Sequence, residues 1–188
     1  MIIIKSNVPT IENVKPYTPL ELLGRDIYVR EGCYTCHSQL VRPFRYETER
    51  YGEYSKSGEY VYDHPFQWGS KRTGPDLHRV GGKYPNGWHF NHMKEPESVS
   101  PGSIMPKYPW LYSDNYDTSL LSKKIEVMKM LGVPYPKNYE ERALQDLKAQ
   151  AEFITQDLKS AGFDAVSDKE IIALIAYLQR LGTDIKIK

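Results

Sequence analysis

Two cysteines and one histidine stand close together near the start of the chain. Cys33 and Cys36 are separated by two residues, His37 follows directly, and the 188 residues contain no other cysteine. Two thiols at this spacing can form thioether bonds to the two vinyl groups of one haem, and a histidine after the second thiol can bind the iron. The motif therefore predicts one covalently attached c-type haem (haem c) with His37 as the proximal iron ligand.

A C-x-x-C pair can also have three other roles. A redox dithiol is expected beside a βαβ pattern, and the surrounding sequence has no such pattern. A structural zinc site usually takes four Cys or His ligands in paired spacing, and the sequence has no second cysteine pair. A disulfide between Cys33 and Cys36 would close a loop too short to stabilise the fold much. These alternatives are weaker than haem attachment but remain open.

An electron-transfer haem needs a second axial ligand on the side of the iron opposite His37. Met105 is the best candidate, because it lies in the turn-rich stretch Pro101–Pro106, and a loop can carry a thioether to the iron. Met93, which follows His92 in a short predicted helix, is the second choice. A thioether raises the reduction potential relative to a second imidazole.

The remaining methionines and histidines have other predicted places. Met128 and Met130 lie in a helical stretch and are expected in the hydrophobic core. Four histidines are expected either at the surface or behind the iron ligands: His64, His78, His89 and His92.

Helical periodicity predicts the element that carries the haem motif. Thr18 can cap a helix that begins with Pro19 at its first position. This helix runs into Gly32 and the first cysteine, so the haem motif is expected at its C-terminal end. The apolar face of the helix is formed by Leu20, Leu23, Ile27 and Tyr28.

Further helices are predicted near 87–95, 120–131 and 139–160. The helix 139–160 ends before Gly162, which can adopt the C-cap conformation. It is mostly charged and is interpreted as a solvated helix lying against the core. Its single apolar stripe is formed by Ala143, Leu144, Leu147, Ala151, Ile154 and Leu158.

The last predicted helix follows Ser167 as its cap, with Glu170 completing a capping box. Residues 43–72 are interpreted as a loop or short hairpin without a regular element. Residues 73–109 are dense in glycine and proline and are interpreted as turns wrapped around a central object. The predicted fold class is therefore mainly α. The core face of the last helix is formed by Ile171, Leu174, Ile175 and Leu178.

Charge and apolar runs exclude several classes of protein. With 25 basic and 24 acidic residues the net charge is +1, which argues against a nucleic-acid binder. The longest apolar runs fall far short of the roughly 20 residues that a transmembrane helix needs. The isoleucines Ile2–Ile4 are too few for a signal peptide. They are either an ordinary terminus or the last residues of a membrane anchor.

Four segments together resemble class I cytochromes c. The resemblance implies that the first and last helices cross where a glycine, here Gly24, faces an aromatic ring, here Tyr177. It also implies that the carbonyl of Pro75 accepts a hydrogen bond from the ring of His37 and so orients the imidazole. The four segments are the helix leading into Cys33–His37, Thr73–Leu77, Met105–Pro106 and the helix that contains Ile175–Leu178.

A denser match, over roughly residues 8–111, is similar to the mono-haem subunit (CcoO or FixO, subunit II) of cbb(3)-type cytochrome c oxidases. This resemblance implies an electron-transfer subunit, without catalytic activity of its own, on the periplasmic side of the bacterial inner membrane. Its partners would be a di-haem cytochrome c subunit that supplies electrons and a catalytic haem–copper subunit that reduces O₂ to water. The similar segments are Gly24–Tyr28, Ser38–Arg45, Glu47–Gly52 and Tyr62–Leu77.

The resemblance also implies an organisation of the chain. Residues 1–18 would be a linker or the stub of the N-terminal transmembrane anchor that the family carries. Residues 19–188 would form a class I cytochrome c domain with insertions at about 43–72 and 112–165 and an additional long helix. Any attachment to the membrane would then depend on that anchor or on the oxidase complex. The first insertion is the predicted docking surface.

Three residues are candidates for hydrogen bonds to the haem propionates: Arg72, Tyr84 and Trp88. Two other functions remain as alternatives to the oxidase relay. One is a free periplasmic electron shuttle, and the other is a haem enzyme or sensor with an open iron site. Carbon monoxide binding distinguishes the haem enzyme or sensor from the two electron carriers, because a haem held by His37 and Met105 should resist carbon monoxide.

Overall fold

The computed structural model describes residues 11–69 and 71–186. Within them are eight α-helices and no β-strand, apart from an isolated antiparallel bridge between Asn115 and Lys169. The prediction of a mainly α fold is confirmed. The helices are α1 (Pro19–Arg30), α2 (Arg45–Tyr51), α3 (Asn86–Lys94), α4 (Pro96–Val99), α5 (Trp110–Ser113), α6 (Leu121–Met130), α7 (Tyr139–Ser160) and α8 (Glu170–Arg180).

Helix α1 begins where the sequence predicted. The hydroxyl of Thr18 accepts a hydrogen bond from the Glu21 backbone N–H at 3.3 Å, and the Glu21 carboxylate accepts one from the Thr18 N–H at 2.8 Å. These two bonds form a complete capping box, and Pro19 occupies the first helical position. All four residues of the predicted apolar face are buried: Leu20, Leu23, Ile27 and Tyr28.

Helices α1 and α8 cross with almost no space between their backbones. A Cβ atom added to Gly24 would lie 1.9 Å from the Ala173 carbonyl oxygen and 2.8 Å from the Tyr177 Cβ. Glycine is therefore required at this position, and Tyr177 is the ring that it faces, as the resemblance implied. The rings of Tyr28 and Tyr177 pack 5.4 Å apart beside the crossing.

Helices α6 and α7 confirm the predictions from periodicity. Helix α7 ends at Ser160, and Gly162 follows with a positive φ of 86°. The predicted stripe of α7 is buried except for Leu144, which is 43% exposed. One hydrophobic cluster joins side chains of α1, α3, α5, α6, α7 and α8. The segment after residue 112 is thus packed onto the same core as the haem motif.

Three predictions from the sequence are wrong. Residues 43–72 contain helix α2 and a 3₁₀ turn at Ser57–Tyr60. Helix α8 begins at Glu170 without a side-chain cap, because the Ser167 hydroxyl donates to Glu152 and the Glu170 carboxylate accepts from Arg30. Met130 lies outside the core and is 83% exposed.

The N-terminal isoleucines Ile2–Ile4 lie outside the described residues, so their role as an anchor remnant stays a prediction. Among residues 11–69 and 71–186, the helices are either too short or too polar to cross a membrane. Residues 11–18 contact the domain through Val14, which is buried, and through the Lys15 backbone N–H, which donates to Asp184 at 3.2 Å.

Candidate haem-binding site

The three residues of the motif lie on one tight turn at the end of α1. Gly32 adopts a positive φ of 69°, and a 3₁₀ turn follows at Cys33–Thr35. The backbone N–H of His37 donates to the Cys33 carbonyl at 2.9 Å and closes the turn. Both thiols are free: Cys33 is half-buried against the core and Cys36 is exposed. Two thiols and an imidazole are therefore presented together.

The imidazole of His37 is held from two sides. Its Nδ1 lies 2.8 Å from the carbonyl oxygen of Pro75, so Nδ1 carries the proton and donates, because a carbonyl can only accept. Gly74 lies against the ring, and a Cβ there would stand 2.3 Å from Cε1 of His37. The Nε2 atom keeps its lone pair. The bond to Pro75 that the resemblance implied is present in the structure.

Burial changes the pKa values of His37 and Cys33 in the protein alone. It lowers the pKa of His37, against a smaller opposing effect of the Pro75 carbonyl, so the ring is neutral at pH 7. Burial, followed by the charge of Glu31, raises the pKa of Cys33 to about 12. A reactive redox dithiol has a thiol of lowered pKa. The raised value therefore argues against the redox-dithiol alternative.

The structure distinguishes the two candidate methionines. Met93 belongs to the hydrophobic core and is 7% exposed, whereas Met105 is half-buried on a loop and only leans against that core. The loop is tied to α3 by a hydrogen bond of 3.0 Å from the Tyr108 backbone N–H to the Met93 carbonyl. Of these two methionines, Met105 is thus the one whose side chain the fold leaves partly accessible at the edge of the core. Its role as an iron ligand remains a prediction.

Tyr84 and Trp88 form part of a stack of three rings. The ring centroids of Tyr84 and Trp88 are 4.1 Å apart, those of Trp88 and His92 are 4.5 Å apart, and both pairs are tilted by 15°. Burial and then the charge of His37 lower the pKa of His92. The propionate bonds predicted for Tyr84 and Trp88 remain predictions.

Arg72 forms hydrogen bonds that hold residues 38–40, which follow the motif. Its guanidinium donates to the Ser38 hydroxyl and the Leu40 carbonyl, both at 2.7 Å, and to the Glu47 carboxylate at 2.8 Å. The Asp76 carboxylate accepts from Ser38 at 2.6 Å and from the Leu40 N–H at 2.7 Å. These bonds hold residues 38–40 in place. A propionate contact of Arg72 stays a prediction beside this internal role.

Sequence reasoning missed the residues that anchor the insertion 43–72. Glu47 is fully buried, and Asp63 pairs with Arg25 of α1 at 3.1 Å with both side chains buried. A buried pair also joins Glu59 to Arg79 at 2.7 Å. No periodicity marks a single acid inside a charged stretch, so no signal in the sequence could have found these partners.

Two of the histidines are interior residues. His78 is 4% exposed and His89 is 1% exposed, so the surface interpretation is wrong for both. The ring of His78 stacks on Tyr60 at 4.6 Å, and its Nδ1 lies 2.5 Å from the Ser55 hydroxyl. His78 therefore joins the insertion to the segment after Pro75.

The donor atoms on this surface fit a c-type haem. Two unpaired thiols stand on one turn, and an oriented imidazole with a free Nε2 follows them. The absence of a side chain at Gly74 lets the imidazole pack against the backbone there, and the thioether of Met105 is half-buried at the edge of the core. Thiolate or thioether and imidazole donors are those that haem iron and its covalent attachment use.

The comparison with protein families agrees with this chemistry. The chain matches the family described as cytochrome C oxidase, mono-heme subunit/FixO, over residues 1–185. No individually curated protein gives a significant match. Because the match spans nearly the whole chain, the chain belongs to the FixO family of mono-haem cytochrome c oxidase subunits.

Proposed function

We propose that the chain binds one haem c covalently through Cys33 and Cys36, with His37 and Met105 as axial ligands. In this proposal the chain relays single electrons from a di-haem cytochrome c subunit to the catalytic haem–copper subunit of a cbb(3)-type oxidase. The relay takes place on the periplasmic side of the membrane. The observation that carries the proposal is the orientation of His37 by Pro75 and Gly74 beside two free thiols.

The residues of the chain have defined tasks in this function. The bound haem supplies an iron that changes its charge by one electron. The bond between Pro75 and His37 keeps the imidazole in one orientation and one tautomer. His37 is half-buried and Cys33 packs against the core, so this side of the site is partly shielded from water. A site that changes little between two redox states needs this kind of rigidity.

The insertion 43–72 supports the proposed docking surface. Buried ion pairs fix its inner side, while Phe44 and Tyr46 are 50% and 62% exposed and their rings stack 5.9 Å apart. Arg42 lies 5.5 Å over the Phe44 ring. Aromatic and arginine side chains are enriched in protein interfaces. A rigid base that carries exposed rings suits contact with a partner subunit.

Haem attachment is tested by expression together with a cytochrome c maturation system. A pyridine haemochrome assay should give one haem per chain, covalently retained after denaturation. The variants Cys33→Ala and Cys36→Ala should each retain haem through at most one thioether bond. A wild-type chain without covalent haem would overturn the proposal.

Iron ligation is tested by carbon monoxide. The reduced wild-type protein should resist CO, and Met105→Ala should bind it readily. Met128→Ala is the matched control, because Met128 lies on α6 and packs against the core. Ready CO binding by the wild type would favour the open-site enzyme or sensor instead.

A further inference from the structure

The segment 101–106, which carries Met105, is held by short-range hydrogen bonds. The backbone N–H of Met105 donates to the Ser103 hydroxyl at 3.3 Å, and the Ser103 N–H donates to the Ser100 carbonyl at 3.1 Å. Ile104, beside Met105, is 80% exposed. A segment with local bonds and little buried apolar surface opens at a low cost in free energy. The position of Met105 therefore depends on the contacts that hold the ends of this loop.

The C-terminal end of the loop is anchored on the core. Helix α5 begins at Trp110, which follows Met105 by five residues. Leu111 of α5 is fully buried. The backbone N–H of Glu170, at the start of α8, donates to the Asp114 carbonyl at 3.0 Å just after α5. Trp110 thus extends from a backbone that is fixed to the core and to α8.

Trp110 joins this anchored end to the haem motif. Its indole N–H donates to Oε2 of Glu31 at 3.0 Å, and Glu31 lies two positions before Cys33. The other carboxylate oxygen, Oε1, accepts from Nε of Arg30 at 2.8 Å, and the Glu31 side chain is 13% exposed. Because each oxygen has its own donor, the carboxylate is held in one orientation. Hydrogen bonds to a charged acceptor are stronger than those between neutral groups.

This indole–carboxylate bond connects the two segments that carry the proposed axial ligands. His37 lies on the turn of the motif, and Met105 lies on the loop. Another contact of the loop, from the Tyr108 N–H to the Met93 carbonyl at 3.0 Å, leads to α3 instead. Two axial ligands stay on one iron only while the segments that carry them keep their separation. A bond between the loop's anchored end and the motif limits that separation.

We propose that Trp110 and Glu31 are positioning residues, which hold the Met105 loop to the haem motif and so keep Met105 on the iron. The inference rests on the proposed function, because it takes Met105 as the ligand opposite His37. Neither positioning side chain touches the iron in this proposal. Without their bond the loop leaves the motif more often, and the usual net contribution of one hydrogen bond corresponds to an increase of about fivefold.

The test is the rate of carbon monoxide uptake by the reduced, haem-loaded chain, measured by stopped flow. Carbon monoxide reaches the iron only while the thioether is off it, so this rate reports how often Met105 leaves. Trp110→Phe removes the N–H donor but keeps a ring against Tyr108, and it should take up carbon monoxide about fivefold faster than the wild type. Glu31→Ala should show the same increase. Glu31→Gln, which keeps an oxygen that can accept, should show a smaller one.

Ser113→Ala is the matched control for these variants. Ser113 is exposed on the same helix, and its hydroxyl bonds to the Trp110 carbonyl and to Asp114 rather than to the motif. Its rate of carbon monoxide uptake should equal that of the wild type.

The double variant Trp110→Phe/Glu31→Ala distinguishes one shared bond from two independent effects. If the two side chains act through their mutual bond, the double variant should take up carbon monoxide at the rate of each single variant, whereas independent effects would multiply to about 25-fold. Hydrogen exchange of the haem-loaded chain gives a second readout. The backbone amides of residues 101–109 should exchange faster in both single variants than in the wild type, while those of α8 should not.

The outcomes separate this inference from the proposed function. Single variants that take up carbon monoxide as slowly as the wild type, or a double variant in which the effects multiply, would overturn the inference and leave the proposed function standing. Faster exchange throughout the chain would also overturn it, because the substitutions would then act on general stability. Ready uptake of carbon monoxide by the wild type would overturn the ligation by Met105, and this inference with it.

Discussion

Two neighbouring residues determine how His37 is presented, and they act by different physical means. Pro75 offers a carbonyl that accepts the Nδ1 proton, and Gly74 offers the absence of a side chain. The backbone N–H of Gly74 also donates to the Cys36 carbonyl at 2.9 Å, which ties this segment to the motif. Orientation of the imidazole thus depends on one hydrogen bond and on the absence of a side chain at Gly74.

The need for glycine beside the imidazole is tested by Gly74→Ala. The new Cβ would stand 2.3 Å from Cε1 of His37, so the ring must move away from the Pro75 carbonyl. We expect the reduction potential to change and the protein to lose about 1–3 kcal/mol of unfolding free energy. Spectroelectrochemistry and urea denaturation measure the two effects.

The control for that substitution is Gly132→Ala. Gly132 has a positive φ of 91° and open space around it, so alanine there adds only backbone strain of about 1–2 kcal/mol. Its stability should fall while its reduction potential stays that of the wild type. An unchanged potential in Gly74→Ala would show that Gly74 does not position the ring.

Glu47 gives a prediction with a defined pH window. Burial alone would raise its pKa, but hydrogen bonds from Arg72 and Arg42 lower it to about 2. Its folded-state pKa lies below the unfolded value of about 4.3. The carboxylate therefore stabilises the fold above pH ~4.3, and this contribution is lost as the pH falls through about 2.

The substitution Glu47→Gln should lower the unfolding free energy by about 2–4 kcal/mol at pH 7, because it removes the buried charge with which both Arg42 and Arg72 pair. The difference from the wild type should shrink between pH ~4 and pH ~2. Urea denaturation at several pH values measures it. Glu126→Gln, at an exposed position, should stay within about 0.5 kcal/mol. A difference that did not change with pH would contradict the role of the charge.

At the scale of elements, the site depends on the close crossing of α1 and α8 at Gly24. Helix α8 is buried from Glu170 to Leu178, so it has no solvated face over most of its length. Helix α1 ends at the haem motif and reaches α8 through Gly24. The position of the motif therefore depends on how closely these two helices approach.

The substitution Gly24→Ala should separate the two helices. Its Cβ would collide with a backbone atom, the Ala173 carbonyl oxygen at 1.9 Å, which cannot move without shifting α8. We expect a loss of about 3 kcal/mol or more, measured by urea denaturation. Asp26→Ala, on the same helix and 49% exposed, should cost less than about 1 kcal/mol. Equal losses in the two variants would contradict the close crossing.

Local signals explain which elements the sequence could predict. Three predicted features depend only on residues close together in the chain. They are the cap at Thr18, the proline that follows it, and the apolar periodicity of α1 and α7. Helix α2 was missed because its residues show no apolar stripe, and its position depends on Glu47 meeting Arg72, 25 positions away in the chain. The cap of α8 was misplaced for a similar reason, since Arg30 holds the Glu170 carboxylate. Contacts between distant residues decided both.

The site followed the same division. The motif predicted Cys33, Cys36 and His37, because these residues lie on one short turn. The hydrogen bond from His37 to Pro75, 38 positions away, was implied only by the resemblance. The internal bonds of Arg72 could not be predicted, since they need the folded positions of Ser38 and Glu47.

At the scale of the whole molecule, the four methionines in the described part of the chain lie in three environments. Met93 is in the core, Met128 and Met105 are half-buried, and Met130 on α6 is 83% exposed. Oxidation to the sulfoxide follows exposure of the sulfur, and coordination to iron occupies the same lone pair. The oxidation rates at the four positions therefore report on packing and on iron ligation in one experiment.

Treatment of the isolated, haem-loaded protein with chloramine T should oxidise Met130 first and Met93 last, as measured by peptide mass spectrometry. Met105 should resist until cyanide displaces it from the ferric iron, and its rate should then rise by about tenfold. Met128 should show no response to cyanide and serves as the control. Rapid oxidation of Met105 without cyanide would contradict its ligation.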